Sequence, residues 1–400
     1  MSIRALELFA GAGGLGMGMS LSGVSPVAVV EWDSWACDTI RENQRRGHPV
    51  VGDWPVVEGD VRDIDLSSLP ADLDLVTGGP PCQPFSMGGK HLAHDDSRDM
   101  FPAAINIIAR LRPRAFLIEN VKGLTRSSFA NYYQYILLRL EYPEATPRPG
   151  EDWMEHLRRL QQARSSGGLR QSLAYNVTPT LVNAADYGVP QRRERVFIVG
   201  FRRDLGVEWH FPRETHSLDA LLHSQWVTGD YWRRHGMEAP AMPVGLAARV
   251  RRLRESLLPP EHQPWLTTRD ALVGLPEPGT SDLFPNHRQQ PGARAYPGHT
   301  GSPLDLPAKT LKAGDHGVPG GENMLAYPDG RVRYFSLREA ARIQTFPDGY
   351  VLHGSWSEAM RQLGNAVPVR LAQVVASSLV EKLALSRMAE AKSRAGRRAA

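Results

Sequence analysis

Cys82 stands in the stretch GGPPCQPFS, residues 78–86, with two prolines before it and Gln83 and Pro84 after it; Cys37 is the second of the two cysteines in the chain. A buried structural thiol has no need of a loop stiffened from both sides, so the setting itself suggests chemistry. A second cluster lies near the N-terminus. Gly11, Gly13 and Gly16 spell GxGxxG directly after an apolar run, and Glu31 follows about 20 residues on. Missing Cβ atoms let a cofactor approach the backbone, and a carboxylate at the end of the next strand can accept hydrogen bonds from ribose hydroxyls. Any adenosine-containing cofactor could use that arrangement, nicotinamide dinucleotides included.

These residues need a scaffold, and the first half of the chain provides an alternating one. The apolar runs IRALELFAG (3–11), VAVVEWD (27–33), LDLVTGGPP (73–81) and PRAFLIENV (113–121) read as strands. Helix-like stretches such as SWACDTIRENQ and MFPAAINIIARL lie between them. Strand alternating with helix implies a parallel sheet with helices on both faces. The polar strand ends, Glu31, Cys82 and Glu119, would then share the carboxyl edge, where such sheets bind ligands.

Composition bounds the function classes. The 400 residues exceed one average domain, and the 42% hydrophobic and 22% charged fractions fit a globular protein. No run reaches the roughly 18–20 consecutive apolar residues of a membrane helix, so no membrane role is expected. Two cysteines give neither a disulfide framework nor a CxxC metal pattern; a reducing cytoplasm and no metal are expected. A formal charge of +4 is compatible with a polyanionic partner.

ELFAGAGGLG together with GGPPCQPFS resembles the motifs of the DNA cytosine-5 methyltransferases. LIENVKGL (117–124), DYGVPQRRERVFIVG (186–200), RYFSLREAARIQTFPDGY (333–350) and QLGNAVP (362–368) resemble further motifs of that family, in its usual order. The resemblance implies a Rossmann-like α/β sheet of the S-adenosylmethionine-dependent methyltransferases, with a second, smaller, loop-rich target-recognition domain. It implies domain bounds of 1–204 for the catalytic and cofactor-binding part, 205–330 for target recognition, and 331–385 for a return segment completing the catalytic domain. Residues 386–400, rich in Ala and Arg, read as a solvated, disordered tail. The stretch 141–172 reads as an insertion with one amphipathic helix.

The same resemblance implies roles. Cys82 would be the nucleophile that adds to carbon 6 of cytosine, and Glu119 would assist at ring nitrogen 3, with Asn120 positioning the loop or the base edge. In QRRER the family pattern falls on Gln191, Arg193 and Arg195; one arginine would meet the base carbonyl and the other support phosphate or carboxylate groups. The methyl donor would be S-adenosylmethionine, held by Phe9, Gly11, Gly13, Gly14, Leu15, Glu31, Trp32, Asp60, Val61, Pro80, Asn365 and Val367. Glu31 would take the ribose hydroxyls, Phe9 and Trp32 would flank the adenine, and Asp60 would accept from its amino group. Double-stranded DNA would be the partner, touched by Gln83, Ser86, Lys90, Arg98 and Thr310, the last paired with Leu311. A monomeric bacterial enzyme is implied, at the nucleoid, with a cognate restriction endonuclease acting on the same site.

Competing readings leave residues without roles. A nicotinamide dehydrogenase explains GxGxxG but not Cys82, Glu119 or QRRER. A tRNA methyltransferase of the same family would carry Phe-Thr where this chain has Phe85-Ser86. A non-catalytic DNA-binding regulator would not need every catalytic position filled. An amino-group methyltransferase would show Asp/Asn-Pro-Pro-aromatic at the strand end.

Overall fold

A computed structural model of the chain describes residues 2–81, 99–169, 173–297, 300–314 and 323–399, the last segment with side chains to residue 391. The chain divides into two compact units. The first comprises Met1–Val182, Glu194–Pro212 and Ala372–Ala400, the second Asn183–Arg193 and Arg213–Leu371. The first unit thus takes the chain back at Ala372, well after the expected 331.

The first unit is built on a seven-stranded sheet: β1 (Ile3–Leu8), β2 (Val24–Glu31), β3 (Val56–Glu58), β4 (Leu75–Gly78), β5 (Ala115–Val121), β6 (Tyr175–Asn183) and β7 (Glu194–Arg202), in the order β3-β2-β1-β4-β5-β7-β6. β1 pairs in parallel with both β2 and β4, and β4 with β5. The order reverses beside β1, the position at which open α/β sheets bind ligands at the carboxyl ends of their strands. The four strands read from the sequence are thus parallel as expected, whereas the later strand β7 runs antiparallel to β5. Only about ten residues link it to its neighbour β6, too few for a crossover helix.

One sheet face packs under α3 (Phe101–Leu111), α4 (Ala130–Glu141) and α5 (Trp153–Ser166). Leu6, Leu8, Val76, Phe116 and Ile118 from the strands meet Phe101, Ile105, Ile108 and Ile136 from the helices, all fully or almost fully buried. Each such side chain stabilises the fold by about 1.5–3 kcal/mol. The insertion forms the expected helix, α5, started by a reciprocal capping box between Asp152 and Glu155. Its Trp153 packs edge-on against Tyr132 of α4, with ring centroids 5.3 Å apart.

α1 (Gly14–Leu21) contains three glycines, poor helix formers, so packing must hold it. Two of them are sites of close approach. A Cβ on Gly16 would overlap the Glu7 carboxylate and lie 2.8 Å from Trp54, and one on Gly18 would overlap Ala372. Ala372 belongs to the last helix, α12 (Val369–Ala399), whose Val375, Ala376, Leu379 and Leu383 are buried.

The expectation of a disordered tail from 386 is corrected here. Ser386 is buried, Arg387 pairs with the buried Asp74 at 2.5 Å, and Glu390 pairs with Arg114 at 2.9 Å. These contacts extend the helix past the point where composition alone suggested fraying. The stretch Trp356–Ala391 is long and apolar enough by length and composition to cross a membrane, but 61% of its apolar window is buried inside the protein.

The second unit has little sheet: a three-stranded one of β10 (Ser302–Pro303), β11 (Met324–Ala326) and β12 (Val332–Tyr334), and the pair β8 (His216–Ser217) and β9 (Gln263–Pro264). Its helices are α6 (Leu218–Trp226), α7 (Asp230–Arg234), α8 (Ala247–Glu255), α9 (Thr268–Leu272), α10 (Leu337–Ile343) and α11 (Trp356–Asn365). A small core of Leu221, Tyr231 and Trp232 is flanked by Trp226 and Trp265. Tyr231 is buried with its hydroxyl satisfied, donating to Asp305 at 2.8 Å.

Candidate active site

The glycine turn after β1 is held open by backbone geometry. Phe9, Gly11 and Gly13 have φ of 56°, 54° and 83°, and a Cβ on Gly11 would meet nothing within 4 Å. Phe9 adopts the left-handed region despite its side chain, a conformation that costs a non-glycine residue about 1–2 kcal/mol. Gly14 and Leu15 follow as the buried first turn of α1.

Glu31, at the end of β2, organises this turn. Its Oε2 accepts from Gly11 N at 2.7 Å, and its Oε1 accepts from Trp32 N at 2.9 Å and Asp33 N at 2.8 Å. The carboxyl is buried, and desolvation holds it above the usual carboxylate range against those three donors. Two oxygens offer about four lone-pair sites, so capacity for a further donor is left. Trp32 projects beside it, 74% exposed, an aromatic face that the protein itself does not cover.

Asp60 is held by Arg62, whose backbone N–H donates at 2.8 Å and Nε at 2.9 Å, and the ion pair keeps its carboxyl below the usual range. Val61 is buried in the sheet core. The open turn, the carboxylates and the uncovered indole together suit the sugar and base of an adenosine cofactor such as S-adenosylmethionine.

The second cluster joins β4, β5 and β7. Glu119 on β5 and Arg195 on β7 are both buried and form an ion pair, Nε to Oε1, at 2.9 Å. Burial pulls the Arg195 guanidinium down from its ordinary range, and Glu119 acts against that shift. The other Glu119 oxygen would lie 3.1 Å from a Cβ on Gly79, so glycine there lets the chain after β4 pass close to the carboxylate. Asn120 Nδ2 donates to the Pro80 carbonyl at 3.0 Å, and its Oδ1 accepts from Val121 N at 2.9 Å. Pro80 is buried. Asn120 therefore fixes the backbone two residues before Cys82. Cys82 itself lies outside the described residues, as do Gln83, Ser86, Lys90 and Arg98. Cys37, by contrast, is fully buried, and its thiol is pushed up to about 12 by desolvation first and by Glu31 next. It is unsuited to nucleophilic work at neutral pH.

The QRRER run splits between the two units. In the second unit, Gln191 and Arg193 are fully buried. Arg193 donates to the carbonyls of Leu311 at 3.0 Å, Gly364 at 2.7 Å and Ala366 at 2.9 Å. Gln191 accepts from Leu311 N at 2.9 Å and donates to Gln344 at 3.0 Å. In this geometry a buried guanidinium engaged with three backbone carbonyls positions backbone. It braces the turn that carries the exposed Asn365 and the buried Val367, and the segment bearing Thr310. Thr310 Oγ1 donates to the Arg192 carbonyl at 2.7 Å.

Two contributors escaped the sequence reading. Gln344 completes the knot around Gln191. Glu7, on β1, is 3% exposed beneath α1, and burial lifts its carboxyl to about 8. The available signal for Glu7 was an acid between two leucines at the end of a strand, just ahead of a glycine-rich helix.

The sequence profile of the C-5 cytosine-specific DNA methylases matches residues 3–142, 169–238 and 285–381. The chain belongs to this family. The methyltransferase is 30% identical to the type II methyltransferase M.Eco47II of Escherichia coli over 386 residues, covering 94% of this chain and 79% of that one. It is also 30% identical to M.Sau96I of Staphylococcus aureus, covering 94% and 75%. Among solved structures it is similar to a prophage-encoded DNA modification methyltransferase from E. coli, with a TM-score of 0.57, 20% identity and coverage of 96% and 100%. A further likeness is to the Schizosaccharomyces pombe Dnmt2 methyltransferase, with a TM-score of 0.55, 18% identity and coverage of 95% and 99%. The methyltransferase thus has the methyltransferase fold, and as a family member it is a DNA cytosine-5 methyltransferase of the S-adenosylmethionine-dependent class. The internal unmatched stretches, 143–168 and 239–284, fall on the insertion and inside the second unit.

Proposed function

We propose that this chain is the modification enzyme of a type II restriction–modification system. It acts as a monomer in the bacterial cytoplasm and methylates carbon 5 of one cytosine within a short duplex sequence, which a cognate endonuclease would otherwise cut. The target base, stacked in the duplex, must be flipped out to be reached, at a cost of a few kcal/mol that protein contacts recover. The Cys82 thiolate then bonds to carbon 6, and the carbon 5–carbon 6 double-bond electrons make carbon 5 nucleophilic. Glu119, having taken a proton from solvent, gives it to ring nitrogen 3 as charge develops there, and Arg195 holds the Glu119 carboxyl in place. When bound, S-adenosylmethionine supplies the electrophilic methyl that carbon 5 accepts. Loss of the carbon 5 proton to solvent restores the double bond, Cys82 leaves as thiolate, and nitrogen 3 returns its proton to Glu119.

The observation that carries this reading is the tie from Asn120 to Pro80 beside the Glu119–Arg195 pair. It brings the backbone leading to Cys82 against the proposed acid. Glu31 and Trp32 would hold the methyl donor, and Asp60, Asn365 and Val367 are assigned to it with them.

The test is bisulfite sequencing of DNA from a methylation-free bacterial host expressing the chain, beside Cys82→Ala. Conversion-resistant cytosines confined to one short motif, and absent in the variant, would support the reading. Protection that persists with Cys82→Ala would refute the covalent role, and no protection with abundant soluble protein would refute the DNA activity.

A further inference from the structure

Helix α8 lies within 239–284, the part of the second unit that the family profile does not match. It reads AARVRRLRE and buries only Val250. Two of its arginines fasten it to α6: Arg249 pairs with Asp219 at 2.5 Å, and Arg254 donates to the Trp226 carbonyl at 2.8 Å. Arg251 and Arg252 are exposed, and among the described residues neither has a hydrogen-bond or ion-pair partner. Immediately past the helix come Leu257 and Leu258, 101% and 77% exposed, and just before it Val244, 90% exposed. Leu257 and Leu258 thus stand side by side and bare at the end of a short basic helix. Each would gain about 1.5–3 kcal/mol on burial against a partner.

We propose that α8 and the Leu257–Leu258 tip are a contact surface for duplex DNA, with Arg251 and Arg252 on backbone phosphates and the two leucines in the groove. This rests on the reading of duplex DNA as substrate. Two uncompensated guanidinium groups in the patch would be costly to dry out against an apolar protein partner. A duplex offers both complements at once: phosphates for the arginines and the thymine methyl groups for the leucines. The spacing fits as well. At 1.5 Å per helical residue and about 3.3 Å per extended one, Leu257 reaches about 12 Å beyond Arg251, comparable to the width of a major groove. Glu255, the single acid of the helix, lies between them, where the groove floor rather than a phosphate would face it.

The test is fluorescence anisotropy of the full chain on a mixed-sequence duplex over a series of salt concentrations. Each lost phosphate contact lowers the slope of log K against log salt by about 0.9, so R251A/R252A should lose about 1.8, while R251K/R252K keeps the wild-type slope. L257S/L258S should leave the slope unchanged and slow methylation at the modified site at least tenfold. A wild-type slope in R251A/R252A, or equal loss in the charge-preserving pair, overturns the phosphate contacts. Undiminished methylation in L257S/L258S overturns the groove assignment. Failure of the wild-type chain to bind the duplex sinks the underlying DNA reading instead, which separates the two failures.

Discussion

Arg195 and Glu119 face each other across neighbouring antiparallel strands, Nε 2.9 Å from Oε1, each nine-tenths buried. Two residues upstream, Arg193 donates to three backbone carbonyls. The same residue type in one short run therefore does two different things, and substitutions should separate them.

Arg195→Ala removes the group that orients Glu119, so kcat should fall about 10²–10³-fold with methyl-donor affinity unchanged. Arg193→Met leaves three buried carbonyls without a donor and should cost at least about 3 kcal/mol of stability. Arg193→Lys should restore little, since a single ammonium cannot span a fork of three acceptors. Single-turnover kinetics and urea unfolding of each variant read these effects. Loss of stability in Arg195→Ala with full activity in Arg193→Met would reverse the assignment.

Glycines 11 and 16 belong to one motif but should respond differently. Gly11→Ala places its Cβ in open space, so it costs about 1–2 kcal/mol for the left-handed backbone and should weaken methyl-donor binding at least tenfold by filling the cradle. Gly16→Ala drives a Cβ into Glu7 and Trp54 and should cost about 1–3 kcal/mol in stability. Combining Gly16→Ala with Glu7→Ala should give less than the sum of the single effects, because the second change vacates the space. Donor titration and thermal unfolding distinguish the two sites; simple additivity would contradict the packing argument.

Stability should depend on pH through Glu7. Burial lifts its carboxyl from 4.5 to about 8, so between those values the folded state holds a proton that the unfolded state has lost. Its contribution is fully present below about 4.5 and disappears as pH rises through about 8, at a limiting slope of about 1.4 kcal/mol per pH unit. His156 and His216, kept neutral by burial with values lowered to about 4, act in the opposite sense between about 4 and 6.5. The clean window is therefore pH 6.5 to 8. There the wild-type chain should lose stability relative to Glu7→Gln; parallel curves would contradict the buried, protonated carboxyl.

The sequence by itself determined what is local: the glycine turn, the strand ends that carry Glu31 and Glu119, the proline-stiffened approach to Cys82, and the order of motifs that marks the family. A turn glycine or a strand-end carboxylate is specified by residues within a few positions of it, so reading along the chain finds it. Tertiary structure alone decided the reversed direction of β7, the ordered helix beyond residue 386, the burial of Glu7, and the pairing of Arg195 with a carboxylate and of Arg193 with backbone carbonyls. Arg193 reaches partners 118 and 171 residues away, and Arg387 reaches one 313 residues away. Whether an arginine faces a carboxylate, a carbonyl or water depends on which distant segment packs against it, and no local spacing carries that information.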